Sequence, residues 1–186
     1  VLGMHRSGIS VLARGLQAFG VVIGEKLLDS DDWNPKGYFE HADIAGLNDT
    51  LLGLVGKRWD SLALPPPETI ESLFTPYQEK ALGLLERDFS ESALCGIKDP
   101  RASRLLPFWQ SVFGRAGMDD CYVIALRNPI SVARSLSARN GFMPEKSYQL
   151  WLSHMLAAIR DTVGKPRIVV DYDALMADPI VQLDRI

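Results

Sequence analysis

The segment Gly-Met-His-Arg-Ser-Gly-Ile-Ser at positions 3–10 constrains the fold more than any other part of the sequence. Val1 and Leu2 precede it as the last residues of a buried strand would, and an apolar pattern with helical spacing follows it. A glycine-bearing loop that joins a strand to a helix directs backbone N–H groups and the positive end of the helix at one point. Because Ser7 and Ser10 add hydroxyl donors, the loop predicts an anion site of the phosphate-binding type.

The loop differs from the P-loop of nucleoside-triphosphate enzymes at the residue that matters most. Gly3 and Gly8 have the spacing of the GxxxxGK[ST] motif, but Ile9 stands where the motif has its phosphate-binding lysine. The positive charge comes earlier, at Arg6. We therefore expect Arg6 and backbone donors to bind the anion; an ordinary strand-to-helix turn with a surface arginine is the alternative interpretation.

A second strand-to-helix junction lies more than a hundred residues downstream. The apolar run Tyr122–Leu126 is typical of a strand buried on both faces, and it ends at Arg127 in an Arg-Asn-Pro turn. In the helix that follows, Ser131, Ser135 and Arg139 recur every four residues and share one face. This spacing allows Arg127 and Ser135 to converge on one anion, whereas a structural arginine and a solvent-facing serine are the alternative.

A third junction ends the apolar run of residues 93–97 with Lys98, Asp99, a proline and Arg101. In parallel sheets the ligands bind at the carboxyl ends of the strands, so Lys98 and Asp99 are candidate catalytic residues. A structural pair between Asp99 and Arg101 that orders the loop is an equally supported interpretation.

A turn-forming segment, Asn-Pro-Lys-Gly-Tyr-Phe-Glu-His, occupies positions 34–41. Glu40 lies in this segment, and its structural interpretation is that it caps a helix that begins near Ala42. Its neighbour His41 is a weaker candidate for a chemical role.

These segments together resemble the sulfotransferases that use 3′-phosphoadenosine 5′-phosphosulfate, and in particular their bacterial sulfotransferase-like branch. The resemblance implies that the first loop binds the 5′-phosphosulfate, and that Arg127 and Ser135 bind the 3′-phosphate. The implied 5′-phosphosulfate residues are Arg6, Ser7, Gly8, Ile9 and Ser10, where Ile9 replaces a threonine that is usual in the family.

The resemblance also implies catalytic roles, which fall on Arg6, Glu40, Lys98 and Asp99. Lys98 matches the lysine of a Lys-Thr-His stretch in cytosolic sulfotransferases, but no histidine follows it here. Carbohydrate and protein-tyrosine sulfotransferases often use a glutamate at the place of Glu40 as the general base. We therefore choose Glu40 over Asp99 as the base.

Alternating strands and helices predict an α/β fold, with a P-loop-type parallel sheet that has helices on both faces. Short strands are predicted at residues 1–2, 21–23, 93–97, 122–126 and 168–170. Helices are predicted near residues 42–55 and 74–89, the latter after a proline-rich break at residues 64–67. A later helical stripe, predicted to be core, consists of Tyr148, Trp151, Leu152, Met155, Leu156, Ile159 and Val163.

Length and composition agree with one sulfotransferase-like domain over residues 1–186, which we expect to be truncated at both ends. A net charge of −3 argues against a nucleic-acid partner, and the apolar runs are too short to span a membrane. We expect a cytoplasmic location, no metal and reduced cysteines, because Cys95 and Cys121 form no CxxC pair.

The predicted reaction transfers a sulfuryl group to a hydroxyl or amine acceptor, such as a carbohydrate, a lipid or a small molecule. A P-loop kinase or phosphotransferase and a nucleotide-binding module without catalysis are the alternatives. The sequence leaves the acceptor and the oligomeric state open.

Overall fold

The computed structural model describes residues 1–65 and 67–186, without the side chains of residues 67, 68, 70, 71 and 72. Pro66, part of the predicted proline-rich break, lies outside the described residues. The secondary structure is mostly helical. In chain order the elements are α1 (Ile9–Ala18), α2 (Ala42–Leu54), α3 (Pro67–Phe89), a 3₁₀ helix (Pro100–Arg104), α4 (Leu106–Arg115), β1 (Tyr122–Leu126), α5 (Pro129–Asn140), α6 (Pro144–Asp161), β2 (Arg167–Asp171), α7 (Tyr172–Ala177) and α8 (Pro179–Leu183).

The regular sheet consists of two parallel strands in the described part of the chain. β1 and β2 pair from Tyr122 opposite Arg167 to Leu126 opposite Asp171. Isolated parallel bridges add further chain segments beside these strands. In one of them, Leu2 pairs with Ile124 of β1. Further out, Val22 pairs with Cys95.

The predicted α/β class is confirmed, but the regular sheet is smaller than predicted. The segments at residues 1–2, 21–23 and 93–97 form single bridges instead of strands. Glycines at positive φ end two of them after a few residues, with φ of 148° at Gly3 and 90° at Gly24. Bends at Ala93 and Leu94 shorten the third, because a bent backbone cannot continue a hydrogen-bonded ladder.

The core places β1 between two groups of apolar side chains. Tyr122 and Ile124 belong to the main cluster, which also takes side chains from α2, α3 and α4. Val123 and Ala125 point the other way and pack with Ile9 of α1 in a second cluster. This alternation follows from the two-residue period of a strand, and it fixes the start of α1 beside the end of β1.

The predicted core stripe on α6 is wrong for most of its members. Met155 is buried, but the exposed fractions of the outer residues run from 40% at Tyr148 to 69% at Val163. The face that α6 buries instead carries Leu150 and small residues, including Ala157 and Ala158, which let the helix approach its neighbours closely. The exposed members of the stripe are Tyr148, Leu152, Leu156, Ile159 and Val163.

None of the helices in the described residues combines the length and the apolar character that crossing a membrane requires.

Candidate functional site

The first loop leaves the N-terminus of α1 open to a ligand. Gly8 caps the helix at φ 87°, and within the described residues the helix has no side-chain cap at this end. The first N–H groups of a helix have no acceptor within the helix, so they can bind an anion. Only glycine suits position 8, because a Cβ there would lie 2.1 Å from the Tyr172 ring.

Arg6 connects the first loop to the second junction. Its Nε donates to Ser135 Oγ at 2.8 Å, and its Nη1 donates to the Trp33 carbonyl at 2.9 Å. The Arg6 carbonyl in turn accepts a hydrogen bond of 2.7 Å from Arg127. The guanidinium of Arg127 also lies over the Tyr172 ring, 4.3 Å from its centroid. The two segments predicted to bind opposite ends of a nucleotide are therefore in direct contact.

Glu40 lies in a buried ion-pair network that borders the same loop. Its Oε1 accepts from Lys98 Nζ at 2.5 Å and its Oε2 from Arg101 at 2.9 Å. Burial raises the pKa of Glu40, although the charge of Lys98 opposes the rise. Burial also lowers the pKa of Lys98, with Glu40 acting against it. Glu40 does not cap α2, whose N-cap residue is His41.

Asp99 has its carboxylate oxygens occupied by structural hydrogen bonds. They accept from the backbone N–H of Arg101, from its Nε at 2.8 and 3.0 Å, and from Asn48 at 2.9 Å. Asn48 is held in turn by Trp109. The carboxylate is 1% exposed, so Asp99 contacts the 3₁₀ helix and α2 rather than solvent.

A cleft of about 200 Å³ opens at the N-terminus of α1. Among the predicted site residues, those that line the cleft are Arg6, Gly8, Ile9, Ser10, Glu40, Lys98 and Arg127. Ser7, Asp99 and Ser135 do not belong to its lining. Ser7 is fully buried, while Ser135 contacts the lining residue Arg6 through its hydrogen bond. The structure thus brings together most of the residues that the sequence selects.

The lining also contains residues that the sequence analysis did not select. The most important of them is Arg139. Burial lowers the pKa of its guanidinium, and the positive charge of Arg6 lowers it further. Its spacing from Ser135 on α5 is a sequence signal that could have revealed it. Three of the selected segments contain four of the others, but no residue-level signal distinguishes them there, and Trp33 and Tyr172 come to the loop only through folding. The residues other than Arg139 are His5, Val11, Trp33, Asn34, Tyr38, Pro100 and Tyr172.

In the described part of the chain, one group of side chains away from the cleft has the atom types of a metal site. His41, Asp43 and Asp88 place possible ligand atoms within 4.8 Å of one another. Both carboxylates are already paired, because Arg87 contacts Asp43 and Asp88, and Lys26 contacts Asp43. These pairs neutralise the charge that would attract a metal ion.

Comparisons of the chain with protein-family models, with curated proteins and with solved structures found no match.

Proposed function

We propose that this chain is a sulfotransferase that uses 3′-phosphoadenosine 5′-phosphosulfate. One observation carries the proposal: Arg6, Lys98 and Arg127 line one cleft together with the open N-terminus of α1. Three fixed or buried cations and a helix N-terminus are the arrangement that binds phosphate-type groups. The overall charge of −3 does not provide such attraction, so the site is local.

The residues of the cleft favour sulfuryl transfer over phosphoryl transfer from a nucleoside triphosphate. Ile9, at the place of the P-loop lysine, is 3% exposed and packs against β1. Phosphotransferases also hold Mg²⁺ with carboxylate or hydroxyl oxygens. Among the described lining residues Glu40 is the one acid, and two cations already contact it.

The arrangement of the segments supports the same proposal. The bridge between Leu2 and Ile124 sets the first strand segment beside β1 in parallel, so the loops after both segments open at the same edge. The nitrogen of Val1 donates to the Ile97 carbonyl at 2.7 Å, which sets the segment before Lys98 on the other side. Three loops with cations can therefore face one ligand, as a nucleotide with phosphates at both ends requires.

The proposed reaction is an in-line displacement at sulfur. The acceptor oxygen forms a bond to sulfur, the bond from sulfur to the bridging oxygen breaks, and adenosine 3′,5′-bisphosphate leaves. Arg6 and Lys98 stabilise the negative charge that grows on the leaving phosphate. Glu40 takes the proton from the acceptor hydroxyl, because its raised pKa makes the ionised carboxylate a stronger base.

The nucleotide is tested by thermal unfolding. We expect adenosine 3′,5′-bisphosphate at 100 times its dissociation constant to stabilise the folded protein by about 2.7 kcal/mol. ATP with Mg²⁺ at the same concentration is expected to give a smaller increase in Tm, since the cleft has no P-loop lysine. A larger increase with ATP and Mg²⁺ would favour the phosphotransferase alternative and contradict the proposal.

Arg127→Ala tests the site of the 3′-phosphate. We expect the variant to lose most of its preference for adenosine 3′,5′-bisphosphate over adenosine 5′-monophosphate, by about 10-fold or more, because a charged hydrogen bond is removed. Calorimetric titration of both nucleotides measures the preference. Arg134→Ala is the matched control, since Arg134 is exposed on α5 and outside the cleft lining. An unchanged preference in Arg127→Ala would place the 3′-phosphate elsewhere.

A further inference from the structure

Arg139 is a cation of the cleft that the reaction above does not use. It belongs to the lining, together with Arg6 and Lys98. Lys98 pairs with Glu40, whereas Arg139 makes no ion pair with an acid in the described part of the chain. The charge that acts on Arg139 most strongly is that of Arg6, which is positive as well. Two cations that face one cleft repel each other, and an anion bound between them relieves the repulsion.

Two contacts hold the guanidinium of Arg139 and leave its outer edge able to bind. Its Nε donates to Asn140 Oδ1 at 2.7 Å, and its central carbon lies 5.4 Å from the centroid of the Trp59 ring. Among the described residues, the two Nη atoms have no hydrogen-bond acceptor. The Nη atoms of a guanidinium can bind both oxygens of a carboxylate in one planar contact. Arg139 therefore offers a positioned pair of donors to an oxyanion.

The position of Arg139 along α5 sets it apart from the residues proposed to bind the nucleotide. Arg127 precedes the helix, whereas Arg139 lies in its last turn. Ser135, which accepts a hydrogen bond from Arg6, comes one turn earlier on the same face. At a rise of about 1.5 Å per residue, the backbone of Arg139 lies about 6 Å beyond that of Ser135, on the side away from Arg127. Arg139 therefore lies past both residues assigned to the donor phosphates.

The other charged groups near Arg139 belong to the segment that carries the proposed base. Tyr38, Asp31 and Glu40 are the groups whose charges oppose the lowering of the Arg139 pKa. The Asp31 carboxylate is engaged within its own loop, where it accepts from the Tyr38 hydroxyl at 2.6 Å and from two backbone N–H groups. Both oxygens of Glu40 accept from other cations. Arg139 thus belongs to the part of the cleft that borders the base, where an acceptor hydroxyl has to bind.

We propose that Arg139 binds a carboxylate of the acceptor. The acceptor is then an acidic hydroxyl compound, such as a uronic acid or an aromatic hydroxy acid, whose hydroxyl faces Glu40 while its carboxylate pairs with Arg139. The role of this compound as a sulfuryl acceptor rests on the proposed function, whereas the carboxylate site requires only the two Nη donors in the cleft. Neutral sugars and simple phenols lack the group that Arg139 binds, so they are expected to bind more weakly.

The test compares acidic compounds with their neutral counterparts. The probes are D-glucuronate with D-glucose, D-galacturonate with D-galactose, and 4-hydroxybenzoate with phenol. We expect the acidic member of at least one pair to bind the parent about 10-fold or more tightly than the neutral member, because a charged hydrogen bond is added. Arg139→Gln should lose this preference. Arg134→Gln is the matched control and should keep it, since Arg134 is exposed on α5 outside the cleft lining.

Nuclear magnetic resonance measures these affinities and also reports on Arg139 in the parent itself. We expect the ¹⁵N signal of Arg139 Nε to shift when the acidic probe is added and to stay in place with the neutral one. Arg139→Lys, which keeps the charge, assigns the signal by its loss. The Arg134 signal is the internal control. This readout does not depend on the folding of Arg139→Gln, which an unfolding curve checks separately.

Titration of the same proteins with adenosine 3′,5′-bisphosphate separates this inference from the proposed function. A preference for acidic probes that depends on Arg139 supports the carboxylate site even when the nucleotide fails to bind and the proposed function is wrong. If a folded Arg139→Gln binds the nucleotide about 10-fold more weakly than the parent, Arg139 contacts the donor and the inference is overturned. Equal binding of acidic and neutral probes to the parent, or an unchanged preference in Arg139→Gln, overturns it as well, even when the nucleotide binds as proposed.

Discussion

Glu40→Gln is expected to lower the single-turnover rate of sulfuryl transfer by about 100- to 10,000-fold, with donor affinity nearly unchanged. Glutamine keeps the size of the side chain and an oxygen that can accept from Lys98, but it cannot take a proton. The loss therefore falls on the chemical step and not on nucleotide binding. A panel of sugar, phenol, lipid and peptide acceptors with labelled donor first identifies an acceptor for the assay.

The pH dependence gives a second signature of the same residue. Burial raises the pKa of Glu40 above the ordinary carboxyl value of 4.5, and only the ionised form accepts a proton. The rate of the parent is therefore expected to rise with pH through this raised pKa. In Glu40→Gln this rise should disappear, because the group that titrates is gone.

Asp99→Asn and His41→Asn are the comparison variants. Asp99 points into a structural network and His41 lies outside the cleft lining, so neither substitution should remove the base. The choice of Glu40 would be contradicted by a fast Glu40→Gln together with a slow Asp99→Asn that still folds and binds the donor. Fast transfer in both Glu40→Gln and Asp99→Asn would show that another group accepts the proton of the acceptor hydroxyl. Slow transfer in His41→Asn would then identify His41 as that group.

The sequence predicted the elements that carry their own local signal. The five apolar residues of β1 form a strand at the predicted positions, and proline at the first turn of α5 begins that helix after Arg127. The prediction from the local sequence pattern was wrong where tertiary packing determines which face of a helix is buried. The stripe on α6 has the right period for a buried face, yet the helix is turned so that Leu150 and small residues face the core.

The candidate site was predictable where a residue lies at a strand end. Arg6, Lys98 and Arg127 each follow such a segment, and they line one cleft. Tyr172 and His5 could not be identified in this way, because each is positioned by a contact with a residue more than about 40 positions away in the sequence. Asp99 and Glu40 are both buried carboxylates that accept from Arg101, and only the folded structure shows that Glu40 lines the cleft whereas Asp99 does not.

Asp99→Ala is expected to lower the free energy of unfolding by about 3–5 kcal/mol. The Asp99 carboxylate is 1% exposed and accepts from Arg101 and Asn48. Its removal leaves the buried guanidinium of Arg101 with less compensation and the Asn48 amide without its partner. A buried charge that loses its partner is much more costly than an exposed one, since water cannot replace the lost contact.

Asp49→Ala is the matched control for this prediction. Asp49 also contacts Arg101, at 2.9 Å, but its side chain is 58% exposed, so the expected loss is below about 1 kcal/mol. Urea unfolding of both variants measures the difference, provided that the m value stays that of the parent. Asp99→Asn, which keeps the volume of the side chain, gives a milder version if Asp99→Ala does not fold. Equal losses from Asp99→Ala and Asp49→Ala would show that Asp99 does not hold the loop, and would return it to the candidates for the base.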